Sequence, residues 1–352
     1  MIPSPKPVIN ITRNMKNLFV GLFFLTSFWT TATGKNTVLD LLNPSGVPEV
    51  EFWVDLDFLE KNKFTEEKTA GSVHFISQSG QVKSWNVQVS IRGNYRRRIC
   101  DFPPLKLDFS KKELEAEGLL PFDDLKMVTH CLNSEVDADL VMREFLTYQL
   151  YQTLTPESFR TRLIQVTYRD TQSDRTLTSY AFLIEDTDAL AYRINAEECD
   201  DCFGMTDSAF APKDVARLAL FQYMIGNTDW SVFMQRNVKI LKSQDGSKFY
   251  TVPYDFDFAT LVGSPYAIPN DNIGQKNFFQ RIYMGVEVPK EDFESCRALF
   301  LNQKNSLLDI IRKTPLIDDK AKKDMLQQLE KFYNDLEKNK IEVDDKVTKI
   351  WG

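Results

Sequence analysis

Between residues 50 and 109 apolar and polar side chains alternate, and a period of two commits that stretch to sheet. Val50, Phe52, Val54, Leu56 and Phe58 take every second place, with Glu51, Trp53, Asp55 and Asp57 between them. Trp85, Val87, Val89 and Ile91 repeat the pattern against Asn86, Gln88 and Ser90. Successive strand side chains point to opposite faces, so each run predicts a strand with one buried face, the first spanning 50–58. Ser79-Gly80 predicts a turn that joins strands at 73–76 and 82–91 into a hairpin. Strands are also expected at 105–109, 125–130, 163–169 and 177–184, the last two joined by the polar turn at 170–175. One long helix interrupts them at 137–154, where Leu146, Leu150 and Leu154 stack at four-residue steps and Val141, Phe145 and Tyr148 widen the apolar face.

After Glu185 the period lengthens. Helices are expected at 188–193 and 212–225, the second opened by Asp207, Ser208 and a first-turn Pro212. A short hairpin at 238–241 and 249–252 follows, and the chain then turns helical. Ala321, Met325, Leu329, Phe332 and Leu336 draw the stripe of the last helix.

The first residues have a different purpose. Lys16 precedes the apolar run 18–29, which is too short to span a bilayer and ends in small residues around Ala32 and Gly34. Residues 1–34 therefore read as a secretory signal cut after Gly34, with Met15 the working start. Loss of Lys6, Arg13 and Lys16 moves the net charge from -7 to -10. A general nucleic-acid binder should carry the opposite sign, so nucleic acid is excluded as a partner. No other apolar run reaches spanning length, so no integral membrane segment is expected in the mature chain.

Five cysteines in an exported chain allow two disulfides and one spare thiol. Cys199-Asp200-Asp201-Cys202 reads as a local loop staple rather than a redox site, because two acids between the thiols oppose thiolate formation. Cys100 and Cys131 flank elements expected to be sheet neighbours and form the preferred long-range pair. With only His74 and His130 present, and neither at finger spacing from a cysteine, zinc has little support.

The chemistry concentrates in Gly226-Asn227-Thr228-Asp229, Arg236-Asn237 and Pro253-Tyr254-Asp255-Phe256-Asp257. Taken singly, each piece is an ordinary turn or helix cap. In order, they place one Asp on a loop, an Asn before a strand, and a second Asp after the next strand. Phosphoryl transfer needs one carboxylate to orient the attacking hydroxyl, with an amide oxygen and a second carboxylate to hold a divalent ion. A β-rich half followed by a helical half is also the protein-kinase layout. The expectation is therefore an α+β, two-lobed protein-kinase-like fold. Its β-rich N-lobe, at 35–185, carries one long helix, and its helical C-lobe, at 186–352, carries both Asp loops.

Further groups could serve the same site. Arg92-Gly93-Asn94-Tyr95-Arg96-Arg97-Arg98 ends a strand ahead of the strand lysine Lys106, and such cations can hold phosphates. A solvated basic turn is the plainer reading. Glu144 lies on the long helix where an acidic partner for that lysine would sit. Glu185, with Asp186, closes the last strand at the junction of the halves, where backbone groups could receive a nucleobase; a helix cap is the alternative.

These motifs resemble the CotH kinase-like family of exported atypical kinases. The resemblance rests on Arg92-Gly93-Asn94, Lys106, Asp139 with Met142-Arg143, Glu185, Gly226–Asp229 and Pro253–Asp257, in order over roughly residues 50–300. HipA-like kinases share the Gly-Asn-Thr-Asp and Tyr-Asp elements. The resemblance implies a kinase using ATP with Mg²⁺ or Mn²⁺ on a protein or cell-envelope acceptor. It implies Asp229 as the catalytic Asp, Asn237 and Asp255 as metal ligands, and Arg92 and Lys106 as phosphate contacts. Asn237 stands further from Asp229 than the family's usual spacing, so residues 230–236 must bulge for it to reach the metal. A histidine that often follows the catalytic Asp is replaced by Trp230-Ser231. Two other classes stay open: an inactive scaffold of the cell envelope, and a hydrolase using Asp229 and Asp255 as a carboxylate pair.

Overall fold

The alternating strands close on themselves. In the computed structural model, which describes residues 36–42, 46–131 and 135–343 (135–138 as backbone only), seven strands form a barrel in the order β1-β2-β3-β4-β5-β7-β6. They are β1 Glu49–Val54, β2 Thr69–Ile76, β3 Val82–Ile91, β4 Leu105–Phe109, β5 Asp124–Val128, β6 Thr161–Asp170 and β7 Thr176–Ile184. Neighbours run antiparallel except β1 and β6, which pair in parallel with Val50 opposite Val166 and shut the sheet. The expected export signal at residues 1–34 lies outside the described residues.

This overturns the expected two-lobed kinase-like fold. A closed, mixed barrel with the helices mostly outside it replaces the β-rich N-lobe. Periodicity identifies strands and their buried faces, but it does not say which strands pair. The deciding contact joins Glu49 to Gln165, far apart in sequence. Closure also removes the exposed edges that β1 and β6 would otherwise present.

The barrel is filled by the alternating residues. Val50, Phe52 and Val54 meet Val87 and Val89, Leu105 and Leu107, Leu125 and Met127, and Val166 and Tyr168 inside it. Gly71 allows the wall to pack, since a Cβ there would lie 2.9 Å from both the Trp53 carbonyl oxygen and Val89 Cγ2. The first strand stops short of the expected 50–58 because the Asp55 carboxylate accepts from Phe58 N–H (2.8 Å) and starts a helix.

The helices are α1 Val38–Leu41, α2 Leu56–Lys61, α3 Arg96–Ile99, α4 Lys111–Ala116, α5 Glu135–Leu154, α6 Thr187–Arg193, α7 Pro212–Ile225, α8 Lys290–Lys313 and α9 Asp319–Glu337. Strands β8 Ala196–Glu198, β9 Val238–Ser243 and β10 Phe249–Pro253 make a small second sheet. A second apolar core lies outside the barrel. Phe182 and Ile184 from β7 meet Leu146 and Leu150 of α5, Phe221 of α7, Phe300 of α8 and Phe332 of α9. Since Ala181 and Leu183 face the barrel interior, β7 is buried on both faces. Among the described residues no helix is long and apolar enough to cross a membrane.

Both expected disulfides are present, Cys100–Cys131 and Cys199–Cys202, and Cys296 is a buried free thiol.

Candidate functional site

Helix α7 ends where the chemistry begins. Gly226 takes the left-handed conformation (φ +66°) that lets its N–H bond back to Tyr223, and a Cβ there would collide with Thr260 Oγ1. The chain then turns sharply into Asn227, which is buried. Its side chain donates to Gln222 Oε1 (3.0 Å) and accepts from Asp229 N–H (2.9 Å). Asn227 is thus the bracket that holds Asp229 in place.

The long spacing to Asn237 is absorbed by a small loop. Ser231 and Arg236 exchange backbone hydrogen bonds (3.0 and 2.9 Å) across an isolated bridge, and Gln235 turns with φ +46°. The chain returns beside its start. Asn237 Nδ2 donates to the Asp229 carbonyl (2.7 Å) and to its Oδ2 (3.0 Å). Arg236 Nη1 lies 3.6 Å from Asp229 Oδ1.

The hairpin β9–β10 then delivers Asp255. Its backbone is left-handed (φ +59°), and its N–H donates to the buried Tyr148 Oη of α5 (2.8 Å). Strained, non-glycine left-handed residues are costly and collect at functional sites. Asn237 (φ +52°) is held the same way, its carbonyl accepting from Tyr254 N–H (3.0 Å).

Asp229, Asn237 and Asp255 line one cleft of about 470 Å³, together with Arg92, Glu144, Arg96, Arg236 and Asp257. Glu144 is buried and meets Arg96 Nη1 at 3.4 Å, while Arg96 Nη2 donates to the Thr129 carbonyl (2.8 Å). Asp257 is also buried and accepts from Tyr266 Oη (3.0 Å). Among the described residues, neither the Asp255 carboxylate nor the Arg92 guanidinium makes a side-chain hydrogen bond or ion pair.

The electrostatics of the site are set first by burial and then by the carboxylates' own neighbours. Burial pushes the Glu144 carboxyl up to about 7; Arg96 opposes this and Asp255 adds to it. Burial, with Asp255 and Glu144 adding repulsion, holds Asp257 well above the usual carboxylate range. Asp229 is raised by burial as well, against the pull of Arg236. A divalent ion would relieve this crowding, and the donors are the hard oxygens that Mg²⁺ or Mn²⁺ prefers. The carboxylates are not drawn into a tight cage. Among the described residues, three His, Cys, Asp or Glu donors lie within 4.8 Å of one another only at Cys199, Asp201 and Cys202, whose two sulfurs form a disulfide. Mg²⁺ suits an open set, because it keeps several waters and takes few protein ligands beside substrate phosphates.

Two sequence candidates are placed elsewhere. Lys106 Nζ pairs with Asp124 (2.7 Å) on the outer barrel wall and does not line the cleft. Glu185 is fully buried between Arg160 (2.7 Å) and Arg193 (3.0 Å), and Asp186 caps α6. Asp139 and Arg143 face the last helix instead, the first near Asp318 N–H and the second bonded to Asp324 (2.7 Å).

Sequence reasoning took Arg96 only as one of a cluster of cations and Asp257 only as part of a motif, and gave neither a role of its own. It counted Tyr148 only as an apolar face residue, and no local signal marks its hydroxyl.

No protein-family model matches the chain, and no curated protein matches its sequence. Among solved structures, the crystal structure of a Helicobacter pylori proinflammatory kinase, CtkA, overlaps it at 9% identity and a TM-score of 0.38, covering 68% of this chain and 95% of that one. At that similarity nothing about the chemistry of this chain follows from the overlap.

Proposed function

We propose that the chain is an exported phosphotransferase. In this reading it moves a phosphoryl group from a nucleoside triphosphate, with Mg²⁺ or Mn²⁺, to a hydroxyl on a protein or cell-envelope acceptor. One observation carries it: Asp229, Asn237 and the unpaired Asp255 line a single cleft together with the unpaired Arg92.

Asp229 is the base. Its carboxylate is steered by Asn237 Nδ2, and burial raises its proton affinity, which suits a group that must take a hydroxyl proton. As the acceptor oxygen bonds to phosphorus, the bond to the leaving phosphate breaks and the proton passes to Asp229. Asn237 and Asp255 would hold the metal, which when bound neutralises phosphate charge. Arg96, held by Glu144, and Arg92 offer cations to the phosphates. Two disulfides suit an oxidising compartment, and a mature N-terminus at Lys35 is the test of export.

The two carboxylates should fail differently. Asp229→Ala should keep the metal-dependent thermal shift with nucleotide and lose transfer by at least about 100-fold. Asp255→Ala should lose the metal-dependent shift itself. Wild type that neither binds nucleotide with metal nor transfers phosphate would leave the scaffold reading in its place.

A further inference from the structure

Residues 230–236 carry the chain from Asp229 round to Asn237, and the tip of that loop is lightly held. Trp230 and Val232 are buried in the outer core, whereas Phe233 and Gln235 are half-buried and Met234 is exposed. Two of the tip's hydrogen bonds stay inside the loop, from Met234 N–H to Ser231 Oγ (3.1 Å) and from Gln235 N–H to the Val232 carbonyl (3.1 Å). Among the described residues, one hydrogen bond joins positions 232–235 to the rest of the chain. In it the Phe233 carbonyl accepts from Gly204 N–H (2.9 Å). The Phe203 ring, largely exposed, lies 6.3 Å from the Phe233 ring beside this bond.

The segment that offers this N–H is fixed at several points. Cys199 leaves β8 with its N–H on the Ile240 carbonyl of β9 (3.0 Å), and the Cys199–Cys202 disulfide closes the next turn of chain. Met205 N–H then returns to the Cys202 carbonyl (3.3 Å). Gly204 stands between them with φ +84°, a conformation that a side chain would strain. On the loop-entropy model a disulfide stabilises a fold more as the loop it closes lengthens, and this one joins residues only three apart. As a stabiliser of the whole fold it is poorly placed. What it does fix is the position of Phe203 and Gly204 against Phe233.

We propose that the disulfide-closed loop 199–204 positions the catalytic loop. Through Gly204 and Phe203 it holds Phe233, and through the Ser231–Arg236 bridge it sets Arg236 beside Asp229. The inference rests on the phosphotransfer reading, and it adds positioning residues to that site, none of which touches substrate. Asp255 is held from elsewhere by Tyr148, and the Asn237 backbone by Tyr254. Loosening the loop should therefore spoil transfer and spare the binding of nucleotide with metal.

The test compares the full-length wild type with Cys199→Ser/Cys202→Ser, Gly204→Ala, Phe203→Ala and Phe203→Leu. Amide hydrogen exchange, affinity for ATP with Mg²⁺ or Mn²⁺, and ADP formation with dephosphorylated casein as acceptor are measured on each. The Ser231 and Arg236 amides, which close the bridge, should exchange at least about tenfold faster in the serine pair, while those of β10 do not change. Turnover should fall at least about tenfold in the serine pair and in Gly204→Ala, because a small misplacement of a catalytic group is costly. ATP affinity should stay within about twofold of wild type, the split expected when only the transition state is affected. Phe203→Leu, which keeps an apolar contact with Phe233, should retain most of the turnover that Phe203→Ala loses. A serine pair that melts lower yet turns over at the wild-type rate, or bridge amides that exchange as in wild type, would overturn the positioning role and leave phosphotransfer standing. Should the serine pair fail to fold, Gly204→Ala and Phe203→Ala, which keep the disulfide, decide. Wild type that neither binds ATP with either metal nor forms ADP removes the phosphotransfer reading and this one with it.

Discussion

Glu144→Gln should make the protein more stable and less active. Folding moves the Glu144 carboxyl from an ordinary 4.5 up to about 7, through burial and the nearby Asp255 outweighing Arg96. A carboxyl raised in this way binds its proton more tightly when folded. Its favourable contribution is complete below pH 4.5 and lost as pH rises through 7. The raised pKa is worth about 3 kcal/mol at 1.36 kcal/mol per pKa unit. Glutamine keeps the shape and stays neutral, so the variant should match wild type near pH 4.5 and exceed it by up to about 3 kcal/mol at pH 8. In melting temperature that is a gain of about 5–10 °C at pH 8. Transfer should fall at least about tenfold, because the charged partner that aims Arg96 is gone. Melting of both proteins from pH 4.5 to 8, beside a transfer assay, measures both effects. A variant that melts below wild type by the same margin at every pH would refute the reasoning. Glu144 would then be an ordinary ionised partner of Arg96, and the crowding that argues for a cation would not exist.

His130 is expected to tilt the same profile the other way: burial, with Arg96 adding, lowers its pKa from 6.5 to about 4, so stability present above pH 6.5 is lost towards 4. His130→Phe should remove about 3 kcal/mol of that acid loss, read from the slope of stability against pH. Cys100→Ser or Cys131→Ser should cost about 3–4 kcal/mol on the loop-entropy model. Because Cys100 N–H bonds to the Arg96 carbonyl, either variant should also weaken the nucleotide-induced thermal shift. Glu185→Gln leaves Arg160 and Arg193 facing a neutral group and should cost about 3–5 kcal/mol. Nucleotide affinity of the folded variant should be unchanged, and a loss of affinity would return Glu185 to the site.

What could be read in the sequence was local. The hairpin of β2 and β3 follows from alternation and a glycine turn, and α7 begins at Pro212 and ends before Gly226 as first-turn proline and terminal glycine require. Barrel closure had no local signal, because it depends on β1 finding β6. The end of β1 was misplaced for a different reason. Leu56 and Phe58 continue the alternation, yet one Asp55 hydrogen bond turns the chain into helix, and pattern alone does not register a cap.

The same division runs through the site. Asp229, Asn237 and Asp255 fall within one short segment, where a capped helix, a bridged loop and a hairpin bring them together through near-neighbour bonds, so their convergence is a local property. The difference in surroundings between two strand lysines is not. Lys106 and Lys126 are register partners across β4 and β5 and share the outer face. By alternation they are equivalent. What separates them is β7 and the start of α6, which cover Lys126 with Ile184 and Thr187 and leave Lys106 to pair with Asp124. How deeply such a side chain is buried is set by whatever arrives last to cover it. Lys126 is set in that way, and only the folded chain separates it from Lys106.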